Sequence, residues 1–283
     1  MLYHFLEHQI TRNSKDIYKF IKGDKIITYR LFYLFCFIII SLKYMEIVCK
    51  NCNNQSNTKY CPSCGQFMKA QRIDFHYLIH EIQHSIFHVD KGILYTIKEL
   101  ILRPSQMLKG YLSGKRAKHF KPFAFVTILA TIYGFLSHYL HIYPNVDIIS
   151  SSSQTQSAIQ ITFDWLYKHY ALITYLLIPF NALFSFILFR KSNYNYFEHL
   201  VINSYMIGIQ ILFLIILLPL HYIFPTLNLF LPLLLSYLYM SWTFYRIFEN
   251  NLFKSIIKII GIIIFSSILG LLLGCAGGLY FLS

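Results

Sequence analysis

The sequence predicts an all-α membrane protein of about five transmembrane helices, preceded by a small cytoplasmic zinc-ribbon head and by amphipathic helices at the membrane interface. Three observations support this fold class. The 283 residues are 56% hydrophobic and only 13% charged, which is too apolar for a soluble domain. Five long apolar runs occupy most of the chain beyond residue 122. Two closely spaced cysteine pairs precede them.

The cysteine pairs predict a structural metal site. Two thiolates separated by two residues in a tight turn point at one tetrahedral ion, and zinc suits four sulfur ligands. Asn53 and Gly65 follow the two pairs, and both residues tolerate the left-handed backbone that turns amide N–H groups toward the sulfurs. Disulfides would need an oxidising compartment, and a thioredoxin-like redox site would need one pair rather than two. The four predicted ligands of a structural Zn²⁺ are Cys49, Cys52, Cys61 and Cys64.

Composition divides the chain into four parts. Residues 1–44 are basic and then apolar, but the apolar run is too short to span a bilayer and no cleavage site follows it. We interpret this part as an interfacial extension, with Met45 as an alternative start of the natural protein. Residues 45–70 form the zinc ribbon, 71–122 the cytoplasmic and interfacial helices, and 123–283 the five-helix transmembrane bundle.

The formal net charge of +13 fixes the expected orientation of the bundle. Lys and Arg lie before the first apolar run, between the second and third, and between the fourth and fifth, whereas the other two connections carry only Lys168. The positive-inside rule therefore places the zinc ribbon in the cytoplasm and the C-terminus outside, with the bundle in the cell membrane. The five runs cover 123–142, 170–189, 205–224, 227–245 and 256–282.

Histidines recur at every fourth position from 76 to 88 and would lie along one side of a helix. The stretch His80-Glu81-Ile82-Gln83-His84 matches the pattern in which two imidazoles bind zinc and a glutamate activates water. Catalysis also needs a third protein ligand. His119, Asp90 and Glu99 are within reach in the sequence, but none lies in a recognisable zincin context, so we predict a non-enzymatic protein. A solvated or partner-facing row and a second metal-binding or proton-sensing face are the other interpretations. The row consists of His76, His80, His84 and His88.

A basic, amphipathic segment from 103 to 121 leads into the first apolar run. Such a segment is expected to lie in the membrane interface and to contact anionic headgroups. Its attachment to the bilayer disfavours nucleic acid as a partner. The predicted headgroup contacts are Lys109, Lys115, Arg116, Lys118 and Lys121.

Two features of the bundle allow more than one interpretation. Glycines at spacing four in the last run permit close helix packing, either within the bundle or across a homo-oligomer seam. Asn181 and Gln210 are expected to form hydrogen bonds between helices. If they instead line a transport pathway, a polar cavity must reach both of them. The glycines are Gly270, Gly274 and Gly278.

The cysteine quartet is part of a wider resemblance. From Cys49 to about His138 the sequence resembles an uncharacterised Bacteroidetes-type family of multi-pass membrane proteins, catalogued as domain of unknown function 3667. That family commonly has Asp at the position of Glu81, which weighs against protease chemistry. The resemblance implies the architecture and no activity. It rests on the cysteines followed by Gly65-Gln66, Arg72-Ile73, the 80–84 stretch, Asp90-Lys91-Gly92-Ile93, Lys98-Glu99-Leu100, Arg103-Pro104, Gly114-Lys115-Arg116, Lys121-Pro122 and, further on, Glu198-His199-Leu200-Val201.

Three functional hypotheses follow. The first is a non-enzymatic membrane protein whose zinc ribbon docks a protein partner or senses metal. The second is a membrane zinc hydrolase that uses His80, Glu81 and His84. The third is a transporter of a small solute or lipid.

Overall fold

A computed structural model describes residues 33–34, 47–85, 92–140, 162, 165–166, 168–222, 230–248 and 251–282, without the side chains at 80, 82–85, 221–222, 230 and 278–282. The predicted extension 1–44 therefore lies outside the described residues, apart from Tyr33 and Leu34. The chain divides after Lys69 into two compact units.

The first unit holds the cysteines and is built from two similar turns. Strand β1 (Ile47–Val48) pairs antiparallel with β2 (Gln55–Ser56) around the first turn. An isolated antiparallel bridge between Tyr60 and Phe67 closes the second turn in the same way. Cys49, Cys61 and Met68 form a small buried cluster between the turns. So few apolar side chains make a weak core, and a bound metal ion is the usual remedy in a unit of this size.

The second unit is helical, as the sequence predicts. Eight α-helices lie within its described residues, and a 3₁₀ turn (Leu218–Tyr222) extends the sixth of them. The helices are α1 (Phe75–Ser85), α2 (Ile93–Leu102), α3 (Pro104–Ser113), α4 (Pro122–Tyr139), α5 (Tyr170–Leu188), α6 (Tyr196–Leu217), α7 (Phe230–Phe248) and α8 (Leu252–Leu282).

Two helix ends show how local sequence sets the boundaries. Helix α3 ends at Gly114, whose φ of 110° is the left-handed conformation of a glycine cap. Helix α6 begins nine residues before the predicted apolar run at 205–224, at the Asn195 cap. The Asn195 side chain accepts a hydrogen bond from the Glu198 N–H, and the Glu198 carboxylate accepts one from the Asn195 N–H. This capping box explains why the helix extends into polar sequence.

Helix α6 is the centre of the bundle. It packs against α4, α5 and α7, while α8 packs against α5 and α7. Of the span window in α6, 61% is buried inside the protein, compared with 11% for α8. Helix α8 is therefore the most peripheral of the long helices and leaves most of its apolar surface for the bilayer.

The short helices α2 and α3 are packed more tightly against the bundle than an interfacial segment would be. Leu100, Met107, Leu108 and Tyr111 are buried in the same hydrophobic cluster as α4 and α6. The Tyr239 hydroxyl of α7 donates a hydrogen bond to the Leu100 carbonyl at 2.6 Å. The apolar side of the predicted interfacial segment is thus covered by protein rather than by lipid.

Four of the helices in the described residues are long and apolar enough to cross a membrane, namely α4, α5, α6 with its 3₁₀ extension, and α8. The remaining predicted span, 227–245, corresponds to α7, whose 19 residues include several hydroxyl and aromatic side chains. Four crossing helices establish a multi-pass membrane protein, and α7 is the helix on which the predicted count of about five depends.

The glycines of α8 lie along its contact with α5 and the residues before α5. A Cβ added at Gly270 would lie 3.9 Å from Leu177 Cδ1, and one at Gly274 would lie 2.7 Å from Leu166 Cγ. Gly277 lies in the same way against the ring of Trp165. The surroundings of Gly278 are outside the described side chains. These contacts belong to packing within one chain.

Candidate metal centre and polar sites of the helical unit

Four cysteine sulfurs converge in the first unit. The Sγ atoms of Cys49, Cys52, Cys61 and Cys64 all lie within 4.8 Å of one another. Cys49 Sγ is 3.6 Å from Cys64 Sγ, and Cys52 Sγ is 3.5 Å from Cys61 Sγ. Sulfurs about 2.3 Å from a tetrahedral zinc are separated by about 3.8 Å, so the cluster has the size of a four-thiolate metal site.

The same backbone arrangement holds each cysteine pair. Asn53 N–H donates to the Cys49 carbonyl and Gly65 N–H donates to the Cys61 carbonyl, both at 2.9 Å. Asn53 has a φ of 60° and Gly65 a φ of 72°, so both adopt the predicted left-handed conformation. These two turns orient the four thiols toward one another.

The thiols of this cluster cannot all ionise together without a cation. Burial acts to raise the pKa of Cys61, but the N–H groups of Ser63 and Cys64 and the neighbouring thiols lower it to about 6. The N–H of Asn54 acts to lower the pKa of Cys52, yet the neighbouring Cys61 sulfur and burial raise it to about 12. A divalent metal would remove this repulsion, because it lets every cysteine bind as a thiolate. The donor set therefore fits a metal ion.

An exposed apolar patch lies on the surface of the same unit. Tyr60 and Phe67 are 56% and 40% exposed, and their rings meet edge to face with centroids 5.7 Å apart. Val48, from the first turn, is 49% exposed. We call Tyr60 and Phe67 the head patch. In so small a unit, two exposed aromatic side chains in contact are a candidate contact surface.

Three members of the histidine row, His76, His80 and His84, lie on α1. His76 is exposed, and the side chains of His80, His84 and His88 lie outside the described part of the chain. Glu81, the glutamate next to His80, has a described position. Its side chain is 4% exposed and accepts a hydrogen bond from the Tyr111 hydroxyl at 2.9 Å. Its carboxylate thus points into the protein, toward α3.

The environment of Glu81 favours the protonated acid. Burial raises the pKa of Glu81 to about 7, although the Tyr111 hydroxyl and the nearby Arg116 and Lys121 act in the opposite direction. Burial also raises the pKa of Tyr111 well above its ordinary value, so the phenol stays protonated and keeps donating. Sequence reasoning identified Glu81 as a catalytic candidate but missed Tyr111, because no local pattern links α1 to α3.

Arg116 has protein partners in addition to any lipid. Its guanidinium lies 4.3 Å from the centre of the Tyr77 ring, and it donates to the Tyr111 carbonyl at 3.1 Å and to the Gln71 carbonyl at 3.0 Å. These contacts place it beside Glu81 and reduce its availability to headgroups. Lys115 and Lys118 are exposed, and Lys109 and Lys121 are half-buried. Lipid contact by these five residues stays a prediction.

An ion pair connects two distant parts of the helical unit. Arg72 donates to both carboxylate oxygens of Glu198, at 2.9 and 2.8 Å, and to the Asn193 carbonyl at 2.5 Å. The Asn195 side chain donates to the Ile73 carbonyl at 2.9 Å. The segment before α1 is thereby fastened to the start of α6. The capping box could have been predicted from the sequence, since Asn195 and Glu198 have the required spacing.

The residue after Glu198 is a fully buried histidine. His199 Nδ1 lies 2.8 Å from the Ser185 hydroxyl of α5, and its ring stacks on Phe248 of α7 at 5.1 Å. His199 therefore joins three helices at the end of the bundle where Arg72 binds Glu198.

A cavity of about 220 Å³ lies between α5, α6, α7 and α8. Its lining includes both Asn181 and Gln210, which is the condition that the transport hypothesis sets. The Ser266 hydroxyl donates a hydrogen bond to Asn181 Oδ1, as predicted for an amide that joins two helices. Asn203 also faces the cavity and was missed by sequence reasoning.

Comparison with known proteins gives one finding. Residues 90–134 match the sequence model of a family described as "Protein of unknown function (DUF3667)", and the match confirms the family resemblance over α2, α3 and most of α4. The matched residues include neither the cysteine pairs nor the cavity lining. No curated protein and no solved structure matches the chain.

Proposed function

We propose that this chain is a non-enzymatic integral membrane protein whose cysteine unit, folded around zinc, docks a protein partner at the cytoplasmic face of a bacterial inner membrane. The observation that carries the proposal is the convergence of four thiols within 4.8 Å in two matching turns. All four positions of a tetrahedral ion would be filled by sulfur, which leaves none for a substrate. Such a site organises a surface rather than a reaction.

The choice of zinc rests on ligand chemistry. Four thiolates in a tetrahedral arrangement select zinc or an iron–sulfur cluster, and two-residue spacing in paired turns is typical of zinc ribbons. Burial of Cys49 and Cys61 favours an ion that is retained rather than one that exchanges with a metal pool. We therefore favour docking over metal sensing, and the head patch is the proposed contact surface.

Photo-crosslinking in native membranes tests the docking proposal. A photoreactive amino acid at Phe67 of the head patch is expected to give a discrete protein adduct, while the same group at exposed Thr58 of the same unit should not. The adduct should disappear when Cys49→Ser unfolds the site. If no adduct forms at Phe67, or if the adduct survives the cysteine change, the proposal is wrong.

Metal content separates this function from the hydrolase alternative. We expect one zinc per chain, lost in Cys49→Ser with Cys61→Ser and unchanged in His80→Ala with His84→Ala. The orientation of Glu81 supports this expectation, because a water-activating carboxylate must reach a metal-bound water and Glu81 instead points toward Tyr111. A second zinc that disappears with the histidines would instead support a hydrolase.

A further inference from the structure

The cavity in the helical unit contains hydrogen-bonding groups but no charge. Its described lining combines amides and hydroxyls with aliphatic side chains, and Asp, Glu, Lys, Arg and His are absent from that described set. The polar members are Asn181, Asn203, Gln210, Tyr237, Thr174 and Ser266, together with Tyr170 and Ser267. Polar groups buried at this depth in a membrane protein commonly mark a ligand site.

Several of these groups have hydrogen-bonding capacity to spare. Asn181 Oδ1 accepts from Ser266, but its Nδ2 has no hydrogen-bond partner among the described residues. Asn203 Nδ2 donates to the His199 carbonyl at 2.8 Å, which leaves its Oδ1 as an acceptor. The lining thus offers both a donor and an acceptor, which is the combination that recognises a hydroxyl.

The size and the mixed lining restrict the ligand further. A volume of about 220 Å³ holds about seven water molecules and is smaller than a drug-sized site. The aliphatic members, such as Ile207 and Met240, suit carbon-bound hydrogens. A charged group would have no counter-charge here and would lose its hydration, so it is disfavoured. These properties fit a small uncharged group that carries adjacent hydroxyls, such as glycerol.

The position of the opening indicates where that group comes from. Ser267 is the exposed residue of the described lining, and it lies near the middle of α8, the most peripheral long helix. At that level a spanning helix faces hydrocarbon. A free solute would have to cross the acyl chains to enter, whereas a lipid could place its headgroup inside and leave its chain against α8.

We infer that this cavity binds the uncharged, hydroxyl-bearing headgroup of a bilayer lipid, with the chemistry of a monoacylglycerol. This site is independent of the metal centre and of the docking function. The helical unit would then be a lipid-binding module, and the cavity would be the lipid site that the lipid-transport hypothesis requires. Asn181 and Asn203 would contact the hydroxyls, and Ser267 would border the entrance.

Native mass spectrometry of the purified full chain tests this inference with three probes. Monoolein is expected to bind saturably, one molecule per chain. The phosphate ester of the same lipid, oleoyl lysophosphatidic acid, should bind at least about tenfold more weakly, because its charge would be buried unpaired. Free glycerol should show no saturable binding, because it lacks the chain that anchors it.

Two matched variants locate the site. Ser267→Trp should block the entrance and weaken monoolein binding at least about tenfold. Thr131→Trp, at an exposed hydroxyl residue of α4 outside the cavity, should leave binding unchanged. Equal binding of monoolein and its phosphate ester would overturn the inference, as would unchanged binding in Ser267→Trp. If free glycerol binds saturably at the cavity and monoolein does not, the ligand is a free solute, and the inference that it is a bilayer lipid is wrong.

Discussion

At the scale of single residues, the buried acid Glu81 should make stability depend on pH. Burial raises its folded-state pKa to about 7. Between its ordinary value and about 7, the folded chain holds a proton that the unfolded chain has lost, so the free energy of unfolding falls as pH rises through this window. Above pH about 7 the ionisation of Glu81 changes the free energy of unfolding little. The total change in this free energy across the window is about 3 kcal/mol at most.

The variant Glu81→Gln keeps an acceptor for Tyr111 and removes the titration. We expect a smaller loss of apparent melting temperature between pH 5 and pH 8 than in the parent protein, and higher stability at pH 8. Glu99→Gln, at a half-buried acid on α2, is the matched control and should keep the parent dependence. Parent-like pH dependence in Glu81→Gln would show that another group is responsible.

Residues also show where prediction from sequence reaches its limit. The left-handed turns at Asn53 and Gly65 were predictable, because a short spacing and two tolerant residue types determine them locally. The pairing of Arg72 with Glu198 was not, because it joins positions 126 residues apart. In the sequence, the recognisable part of this arrangement is the capping box that Glu198 forms with Asn195.

At the scale of helices, the glycines of α8 separate packing within the chain from a homo-oligomer seam. An added Cβ at Gly274 would lie 2.7 Å from Leu166 Cγ, whereas one at Gly261 would make an ordinary 3.7 Å contact with Phe184. We expect Gly274→Val to lower the apparent melting temperature by several degrees and Gly261→Ala to change it little. Size-exclusion chromatography of the same variants reports the oligomeric state. A changed oligomeric state with unchanged stability in Gly274→Val would indicate a seam between copies.

Hydropathy located the helices better than it located their partners. The positions of α4, α5 and α8 follow from apolar runs of membrane-spanning length. The burial of α2 and α3 against the bundle did not follow, because an amphipathic face looks the same whether lipid or protein covers it. Tyr239 of α7, which bonds to Leu100, is the kind of tertiary contact that decides the matter.

For the whole molecule, one end of the bundle gathers loops that the positive-inside rule assigns to the cytoplasm. Phe248, at the end of α7, stacks on Phe189, at the end of α5, with ring centroids 4.3 Å apart. Lys258 of α8 lies 4.3 Å from the centre of the Phe189 ring. The basic segments 189–195 and 251–258 therefore share one side, which also holds Arg72 and Glu198.

Helix α7 decides on which side the chain ends. It runs antiparallel to α6: Phe248 contacts His199 near the start of α6, while Tyr239 contacts Phe213 near the end of α6. Its 19 residues give a length of about 28 Å, close to the thickness of a hydrocarbon core. These features support α7 as a fifth crossing helix despite its polar side chains, many of which face other helices.

Five crossings would place the C-terminus outside, opposite the basic end, whereas four would return it to the basic side. A C-terminal alkaline phosphatase fusion, active only outside the cytoplasm, is therefore expected to be active, and a fusion within the 189–195 loop inactive. A C-terminal green fluorescent protein should be dark when exported through the general secretory route. A fluorescent C-terminal fusion would mean that α7 does not cross, and that the basic segments 189–195 and 251–258 lie on opposite sides of the membrane. Since Lys258 lies against Phe189 at the basic end, the packing of the bundle favours the first outcome.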